Sequence, residues 1–454
     1  MKVVLDNKVT GFTDQKLDIP AISSKSYVHR LMIAAALADR RCLIVTNIFS
    51  EDMKATMNCL NAMGADIVME NEGFLVREGV RESKRTVLFC NESGSTARFL
   101  LPLATVFADE ATFSGKGKLP ERPNAPLCNQ MRLNGVEIDK DFLPLNTKGR
   151  LKAGVYTLPG NVSSQFITGL LLSLPLLDGD SRLIIEGKLE SAGYIDVTLD
   201  VLSMFEIKIE RTEEGFRIPG NQKYTLDDDK LIEVEDIHDP CLIAEGDWSN
   251  SAYILGMGAL GGEVTVRGLN PESVQPDSEA IKLFKEFGAT VEIISDCGGG
   301  NTGTKSPMAK VKVSYDTLQG ITKDVSQIPD LVPALAVIAS FAKTDSVFTN
   351  VQRLRIKESD RVESIISLLK SYGAECEVTK SGECESMRIS GANIYSSENV
   401  RCEVSSFRDH RIVLAAVMAY RRLGGMMVID GAEAVNKSYP DFFKNVVGIC
   451  EELS

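Results

Sequence analysis

The strongest constraint on this chain is a pattern that returns along its length: a short polar or basic turn running straight into an apolar helix. Its first instance is Ser24-Lys25-Ser26-Tyr27-Val28-His29-Arg30. Val28, Leu31, Met32 and Ala35 fall at i, i+3, i+4 and i+7, so one helix face belongs to a core. Ser26 and Arg30, four apart, share another face near the helix start. Unpaired backbone N–H groups and the positive dipole end favour an anion there, and Lys25 and Arg30 add formal charge. Taken alone, the stretch reads more simply as a serine cap followed by solvated cations.

It does not stand alone. After a strand-like Val3–Leu5, the first helix leads to a strand-like Cys42–Thr46. An amphipathic helix from Asp52 to Met63 follows, stopped by Gly64, with Asp66–Met69 behind it. In the second copy Glu92-Ser93-Gly94-Ser95-Thr96-Ala97-Arg98 leads into Phe99–Phe107, and Arg122-Pro123 into a helix ending at Gly135 before Val136–Ile138. The third has Ser163-Ser164-Gln165 opening Phe166–Leu177. Its Tyr194-Ile195-Asp196 then opens a helix into Ile207–Ile209 that lacks the stop glycine, which implies a different helix ending.

The fourth copy has Asp247-Trp248-Ser249-Asn250 before Ala252–Leu260, and a helix ending at Phe287-Gly288 before Ala289–Ile293. In the fifth, Ile328-Pro329-Asp330 precedes Leu331–Phe341, and Lys357-Glu358-Ser359-Asp360-Arg361 opens a helix ending at Tyr372-Gly373. The sixth has Arg408-Asp409-His410-Arg411 before Ile412–Tyr420, then Lys437-Ser438-Tyr439-Pro440 before a closing helix Asp441–Leu453.

The openings recur roughly every 70 to 85 residues, too long a period for a simple solenoid. Each unit reads as buried helix, strand, amphipathic helix and strand pair. Three units fill a lobe of ordinary domain size, and six make two lobes. The last copy lacks a following strand, which the N-terminal strand completes. Residues 1–20 with 245–454 are therefore expected to form lobe I, and residues 21–244 lobe II. Parallel helices would converge their positive ends on one surface. Lys, Arg and Gln are not preferred caps, so their concentration at the openings points beyond capping.

Composition narrows the partners. A net charge of −13 argues against nucleic acid or an anionic membrane, so any anion site is a local basic cluster. The ten cysteines form no CxxC pair, which fits free thiols in a reducing compartment. Only His29, His238 and His410 are available, so no metal centre is expected. Met1–Asp6 lacks a signal-peptide apolar region, and Leu170–Leu177 is broken by Ser173 and Pro175. A soluble cytoplasmic protein is expected.

Taken in order, these openings resemble the 5-enolpyruvylshikimate-3-phosphate synthases (3-phosphoshikimate 1-carboxyvinyltransferases), a family of enolpyruvyl transferases. The resemblance spans nearly the whole chain. It implies an α/β, two-lobed enolpyruvyl transferase fold, each lobe an inside-out α/β barrel of three repeated helix-strand units, with the active site in the cleft. It implies transfer of the enolpyruvyl group of phosphoenolpyruvate to the 5-hydroxyl of shikimate 3-phosphate, with release of phosphate by addition and elimination. That step belongs to the shikimate pathway, which supplies chorismate and the aromatic amino acids. No cofactor or metal is implied, the protein is expected to act as a monomer, and glyphosate is the family's phosphoenolpyruvate-site inhibitor.

By this resemblance, shikimate 3-phosphate is expected to contact Lys25, Ser26, Arg30, Ser163, Ser164, Gln165, Ser191, Asp330 and Lys357. Phosphoenolpyruvate is expected to contact Lys25, Gly94, Arg122, Gln165, Arg361, Arg411 and Lys437. Guanidinium groups bind such anions bidentately and lysines as point charges. Asp330 is the expected base at the 5-hydroxyl, against the plainer reading of a helix cap. Glu358 is the expected donor to the methylene carbon, although Lys357 and Arg361 nearby favour its charged form; Lys25 is the alternative donor. Gly94 fits close backbone approach to a ligand. Tyr194 packs near the ring or in the core, and His29 and His410 read as packing or positioning residues.

Two departures stand out: Glu92-Ser93 replaces the Asn-Ala of other members, and Arg353 stands where some carry Asn. The sister transferase acting on UDP-N-acetylglucosamine pairs Lys with Asn at the first motif and places a cysteine just before an Arg-Pro pair. Here Ser26 follows Lys25, and Phe113–Glu121 has no cysteine; Cys128 lies downstream. A non-catalytic anion-binding scaffold would keep the basic openings but have no use for Asp330 and Glu358 as an acid–base pair.

Overall fold

The computed structural model describes residues 1–6, 12, 15–295, 308–382, 384–391 and 401–448. Contacts divide the chain into two compact units. One holds Ser23–Ala244; the other holds Met1–Ile22 and the described residues from Glu245 onward.

In Ser23–Ala244 three four-stranded sheets share one plan. A first strand is followed by a buried helix and a second strand parallel to the first. A second helix and an antiparallel strand pair follow, and the spatial order is first, second, fourth, third. The second sheet shows this in sequence: Ser83–Phe89, α3 (Gly94–Phe107), Ala108–Ser114, α4 (Ala125–Leu133), Glu137–Ile138 and Leu145–Lys148. The third repeats it with Val155–Pro159, α5 (Ser164–Ser173), Ser181–Glu186, α6 (Ala192–Met204), Glu210–Thr212 and Gly215–Ile218. The first sheet has α1 (Lys25–Ala38), Cys42–Val45, α2 (Glu51–Ala62), Asp66–Glu70 and Gly73–Glu78. Its first strand is Cys241–Ile243, from the far end of the unit.

The other unit follows the same plan. Leu17–Pro20 precedes α7 (Trp248–Leu260) in structural order, then come Glu263–Leu269, α8 (Ala280–Phe287), Thr290–Ser295 and Ala309–Ser314. Thr322–Asp324, α9 (Val332–Ser340), Ser346–Thr349, α10 (Arg361–Ser371), Cys376–Ser381 and Cys384–Ile389 build the next sheet. Arg401–Ser405, α11 (His410–Leu423) and Met426–Asp430 build the last, where Lys2–Asp6 pairs antiparallel with Met426–Asp430 in the place of the fourth strand.

Burial follows from this plan. Parallel neighbours need a long crossover, and its helix packs on the sheet while meeting the other crossover helices. Hence α9, Val-Pro-Ala-Leu-Ala-Val-Ile-Ala-Ser, is buried throughout, its proline tolerated in the first turn. The second helices bury one face only: α8 hides Ala280, Leu283, Phe284 and Phe287, spaced i, i+3, i+4 and i+7.

Several elements differ from the sequence expectation. The strand before each buried helix was not anticipated. Ile207–Ile209 is not a strand; pairing starts at Glu210. Of the expected closing helix Asp441–Leu453, the described residues form only a π-helical turn Phe443–Val447, ended by left-handed Gly448 (φ 78°), with a 3-10 segment Ala432–Lys437 ahead of it. Residues 449–453 of that expectation lie outside the described residues.

The third copy also ends its second helix as the others do. The residue at or just after the cap is left-handed at Gly64, Gly135, Gly288 and Gly373, and at Glu206 (φ 60°) in the third copy. A side chain in that conformation costs roughly 1–2 kcal/mol. Replacing Glu206 with Gly is therefore expected to stabilise the fold by about 0.5–1 kcal/mol after glycine's larger entropy loss. A denaturant midpoint unchanged or lowered by E206G would contradict this. Among the described residues no helix is long and apolar enough to cross a membrane, and every cysteine is free.

Candidate functional site

The openings at Lys25–Arg30, Gly94–Arg98, Ser164-Gln165, Trp248–Asn250 and His410-Arg411 are first turns of helices, whereas Arg122, Asp330, Lys357 and Glu358 precede theirs. Ser93 caps α3 by accepting the Thr96 N–H at 3.2 Å, so Gly94–Arg98 is already helical. Asp247, Asp360 and Asp409 cap α7, α10 and α11 in the same way. These capped openings present their side chains from a fixed first turn.

Within Ser23–Ala244, Lys25 opens α1 and its ammonium meets the Asp52 carboxylate at 2.9 Å. Arg30 is buried, and four of its five donor hydrogens are engaged. Nε donates to Thr198 Oγ1 (2.8 Å), Nη1 to the Ser26 carbonyl (2.8 Å), and Nη2 to the Tyr194 carbonyl (3.0 Å) and Thr168 (3.4 Å). Its guanidinium lies 4.8 Å from the Phe99 ring centre, and burial lowers its pKa to about 10. Arg30 thus joins four helices, and most of its capacity is spent inside the protein. The Gln165 amide is also tied: Oε1 accepts from Arg98 at 2.7 Å and Nε2 donates to Ser95 at 3.0 Å.

Arg122 is different. It is half-buried, its guanidinium has no hydrogen-bond or ion-pair partner among the described residues, and its Nε is buried. A methyl group built on Gly94 would lie 2.6 Å from Arg122 Nη1, so glycine is what lets this cation rest on the start of α3. The sequence suggested close approach of a ligand to Gly94; the approaching group here is Arg122. The N–H groups of Gly94 and Ser95 also lack acceptors among the described residues. A cation and a helix start with open N–H groups have the chemistry to hold an anion. Ser163 caps α5 by accepting the Gln165 N–H, Ser164 is buried beside it, and Ser191 caps α6 in a left-handed conformation (φ 56°).

In the other unit Arg361 organises the site. It is 1% exposed and gathers three carboxylates: Asp330 on Nη1 (2.6 Å), Glu358 on Nη2 (2.7 Å) and fully buried Asp409 on Nε (2.8 Å). Burial alone would lower its pKa; Asp409, Glu358 and Asp330 overcome that and raise it well above the usual value. Asp330 faces Arg361, Lys357 at 3.6 Å and Arg411 at 3.7 Å. Burial pushes the Asp330 carboxyl up, and these three cations overcome it, holding it well below the ordinary carboxylate range. Lys357 is lowered by burial, with Asp330 opposing.

Asp330 is not the helix cap that the plainer reading allows, since Leu331 stands at the cap of α9. Arg411 Nη1 donates to the Ser249 carbonyl at 2.8 Å and its guanidinium lies 5.5 Å from the Tyr253 ring centre. Lys437 ends the 3-10 segment and reaches the Arg408 carbonyl at 3.4 Å, where Phe407 and Arg408 are both left-handed.

Sequence reasoning did not assign Asp52, Thr56, Asp409 or Tyr253. Asp409 lay inside a quoted motif, and its adjacency to two arginines was the available signal. Tyr253 donates its hydroxyl to the Asp330 carbonyl at 2.8 Å from the middle of an apolar helix, where nothing in the spacing marks it. Among the described residues no group of three or more His, Cys, Asp or Glu side chains could hold a metal ion.

A family model described as EPSP synthase (3-phosphoshikimate 1-carboxyvinyltransferase) matches residues 9–446. The chain belongs to the EPSP synthase family. Among curated relatives, a 3-phosphoshikimate 1-carboxyvinyltransferase from Clostridium kluyveri is 38% identical over 439 residues, covering 95% of each chain. One from Clostridium novyi is 36% identical and covers 97% of this chain and 96% of its own. An EPSP synthase structure from Acinetobacter baumannii aligns with a TM-score of 0.75 at 23% identity over 94% of each chain. The enolpyruvyl transferase NikO of Streptomyces tendae aligns at 0.69 and 14% identity, over 96% of this chain and 94% of that one. These two likenesses concern fold, and the six-sheet α/β plan is the enolpyruvyl transferase fold.

Proposed function

We propose that both sets of residues serve one reaction: transfer of the enolpyruvyl group of phosphoenolpyruvate to the 5-hydroxyl of shikimate 3-phosphate, with release of phosphate. Membership of the EPSP synthase family supports that activity over the sister transfer to UDP-N-acetylglucosamine. The observation that carries the residue-level reading is Asp330, an anionic carboxylate facing three cations. A non-catalytic anion-binding scaffold has no need of such a group.

Asp330 accepts the 5-hydroxyl proton as the oxygen bonds to C2 of the enolpyruvyl group. The methylene carbon takes a proton from Glu358 or Lys25. Both are ion-paired here, Glu358 with Arg361 and Lys25 with Asp52, and incoming anions compete for those cations. The C2–phosphate bond then breaks as the methylene carbon gives a proton back.

Lys25, Ser26, Arg30, Ser163, Ser164, Gln165, Ser191, Asp330 and Lys357 hold shikimate 3-phosphate in this reading. Lys25, Gly94, Arg122, Gln165, Arg361, Arg411 and Lys437 hold phosphoenolpyruvate. Arg122 and the α3 start are the readiest phosphoenolpyruvate subsite, because their donors are uncommitted. Arg30 and Gln165 act mainly by holding helix openings in place. The reading is of a cytoplasmic monomer; a net charge of −13 supports the further expectation of no nucleic-acid partner.

Mass spectrometry of a reaction with both substrates tests this: a single enolpyruvyl ether of shikimate 3-phosphate is expected. No product, or a product on UDP-N-acetylglucosamine instead, contradicts it.

Gly94→Ala is expected to displace Arg122 and raise KM for phosphoenolpyruvate by about 10-fold, a loss of about 1.4 kcal/mol, with KM for shikimate 3-phosphate little changed. Equal changes in both would place Gly94 elsewhere. The depressed Asp330 carboxyl keeps this base ionised, so it sets no acid limb in kcat/KM between about pH 5 and 9. Its stabilising effect is complete above the unfolded carboxylate value of about 4 and is lost as pH falls through the lower folded value. A Tm profile falling only below about pH 4 is expected, with a smaller fall in D330N.

A further inference from the structure

Beneath the anion site runs a buried polar chain to which the reaction assigns no part. His29 Nδ1 lies 2.6 Å from Thr56 Oγ1, Thr56 Oγ1 lies 2.7 Å from Thr96 Oγ1, and Thr96 Oγ1 lies 2.7 Å from Ser93 Oγ. All four residues are essentially inaccessible. The Ser93 oxygen in turn accepts the Thr96 N–H and caps α3, directly before Gly94. Apolar side chains would fill such a space without the cost of burying polar groups, so a retained chain calls for a use.

The spacing shows what it joins. Lys25 and His29 are four apart on α1, and Asp52 and Thr56 are four apart on α2. The pairs Lys25–Asp52 and His29–Thr56 are two rungs, one turn apart, that fix the register of α1 on α2. From the second rung Thr56 reaches across to α3.

The direction of the first link is set. Burial pushes the His29 imidazole down to about 3, with Asp52 opposing and Lys25 and Arg30 assisting, so it is neutral. Its Nε2 is buried without a partner, so a hydrogen there would be an orphaned donor. The hydrogen therefore sits on Nδ1 and is donated to Thr56. Thr96 Oγ1 donates to Ser93 Oγ at 2.7 Å, with the Asp52 carbonyl a second acceptor at 3.5 Å, and either hydroxyl of the Thr56–Thr96 pair can be the donor. The series ends on the Ser93 cap of α3, directly before Gly94, the residue beside Arg122.

We propose that Thr56 is a positioning residue for the phosphoenolpyruvate subsite, acting through Thr96 and Ser93 to hold the first turn of α3 against Arg122 and in register with Lys25. This rests on the reading of α3 and Arg122 as that subsite. The chain touches neither substrate and makes no contribution to proton transfer.

The test compares Thr56→Val, which keeps the shape and removes the hydroxyl, with Thr56→Ser, which keeps the hydroxyl. In phosphate-release kinetics T56V is expected to raise KM for phosphoenolpyruvate about fivefold, the scale of one lost hydrogen bond. KM for shikimate 3-phosphate and kcat should stay within about twofold, and T56S should stay within about twofold throughout. Equal behaviour of the two variants, or equal shifts in both KM values, overturns the proposal. Thr96→Val against Thr96→Ser repeats the comparison one link along the chain and decides it should T56V not fold. An inactive wild-type chain overturns the functional reading, and this proposal with it.

Discussion

Asp330→Asn is expected to lower kcat by about 10²–10⁴-fold, the range for loss of a positioned general base, while leaving shikimate 3-phosphate binding measurable by calorimetry. Asparagine keeps the shape and the hydrogen bond from Arg361 but removes the charge. Lys357, Arg361 and Arg411 then face one carboxylate fewer, which strengthens their pull on incoming anions. Substrate affinity should therefore hold or rise as turnover collapses. A D330N variant that turns over at the wild-type rate would reduce Asp330 to a partner of Arg361. Loss of binding together with turnover would make its role structural.

Arg361→Met is expected to have the largest effect on stability. Removing one member of a buried ion pair typically costs about 3–5 kcal/mol, because the remaining charge stays buried and unpaired. Here the guanidinium is 1% exposed and Asp409 is fully buried, so that carboxylate cannot turn to water. Asp330 and Glu358, at 20% and 29% exposure, recover part of their solvation, which keeps the cost near that of one pair. Asp409→Asn in the Arg361→Met background should restore part of the loss, since it removes the stranded charge. A denaturant midpoint unchanged by R361M would show that the three carboxylates take up protons or water at little cost.

The repeat made the fold legible, because a buried helix followed by a half-buried one leaves two different hydrophobic periods in the sequence. The strand before each buried helix escaped notice because it is short and at an edge. Cys241–Ile243 has three residues, and Ser83–Phe89 opens with the polar run Ser-Lys-Arg-Thr. Conformational need also outran composition. The third repeat keeps the left-handed turn after its second helix with Glu206 in place of glycine, a choice invisible to a search for stop glycines.

In the candidate site the motifs gave a set of residues, and their partners in the fold had no such signal. Motif residues look alike on the page, yet Arg30 spends four donors on its own fold while Arg122 spends none of its guanidinium among the described residues. That difference depends on Thr168, Tyr194 and Thr198, more than a hundred residues away in sequence. Gly94 was marked for close approach of a ligand, and the structure adds that Arg122 lies where its side chain would be. The His29–Thr56–Thr96 chain has no local signal at all, since single threonines in helices are common.

Phosphate release from phosphoenolpyruvate, followed with each substrate alone and with both together, tests the central claim most directly. Release is predicted only when shikimate 3-phosphate and phosphoenolpyruvate are both present. Release from phosphoenolpyruvate alone, release driven by UDP-N-acetylglucosamine, or no release with both substrates would contradict it.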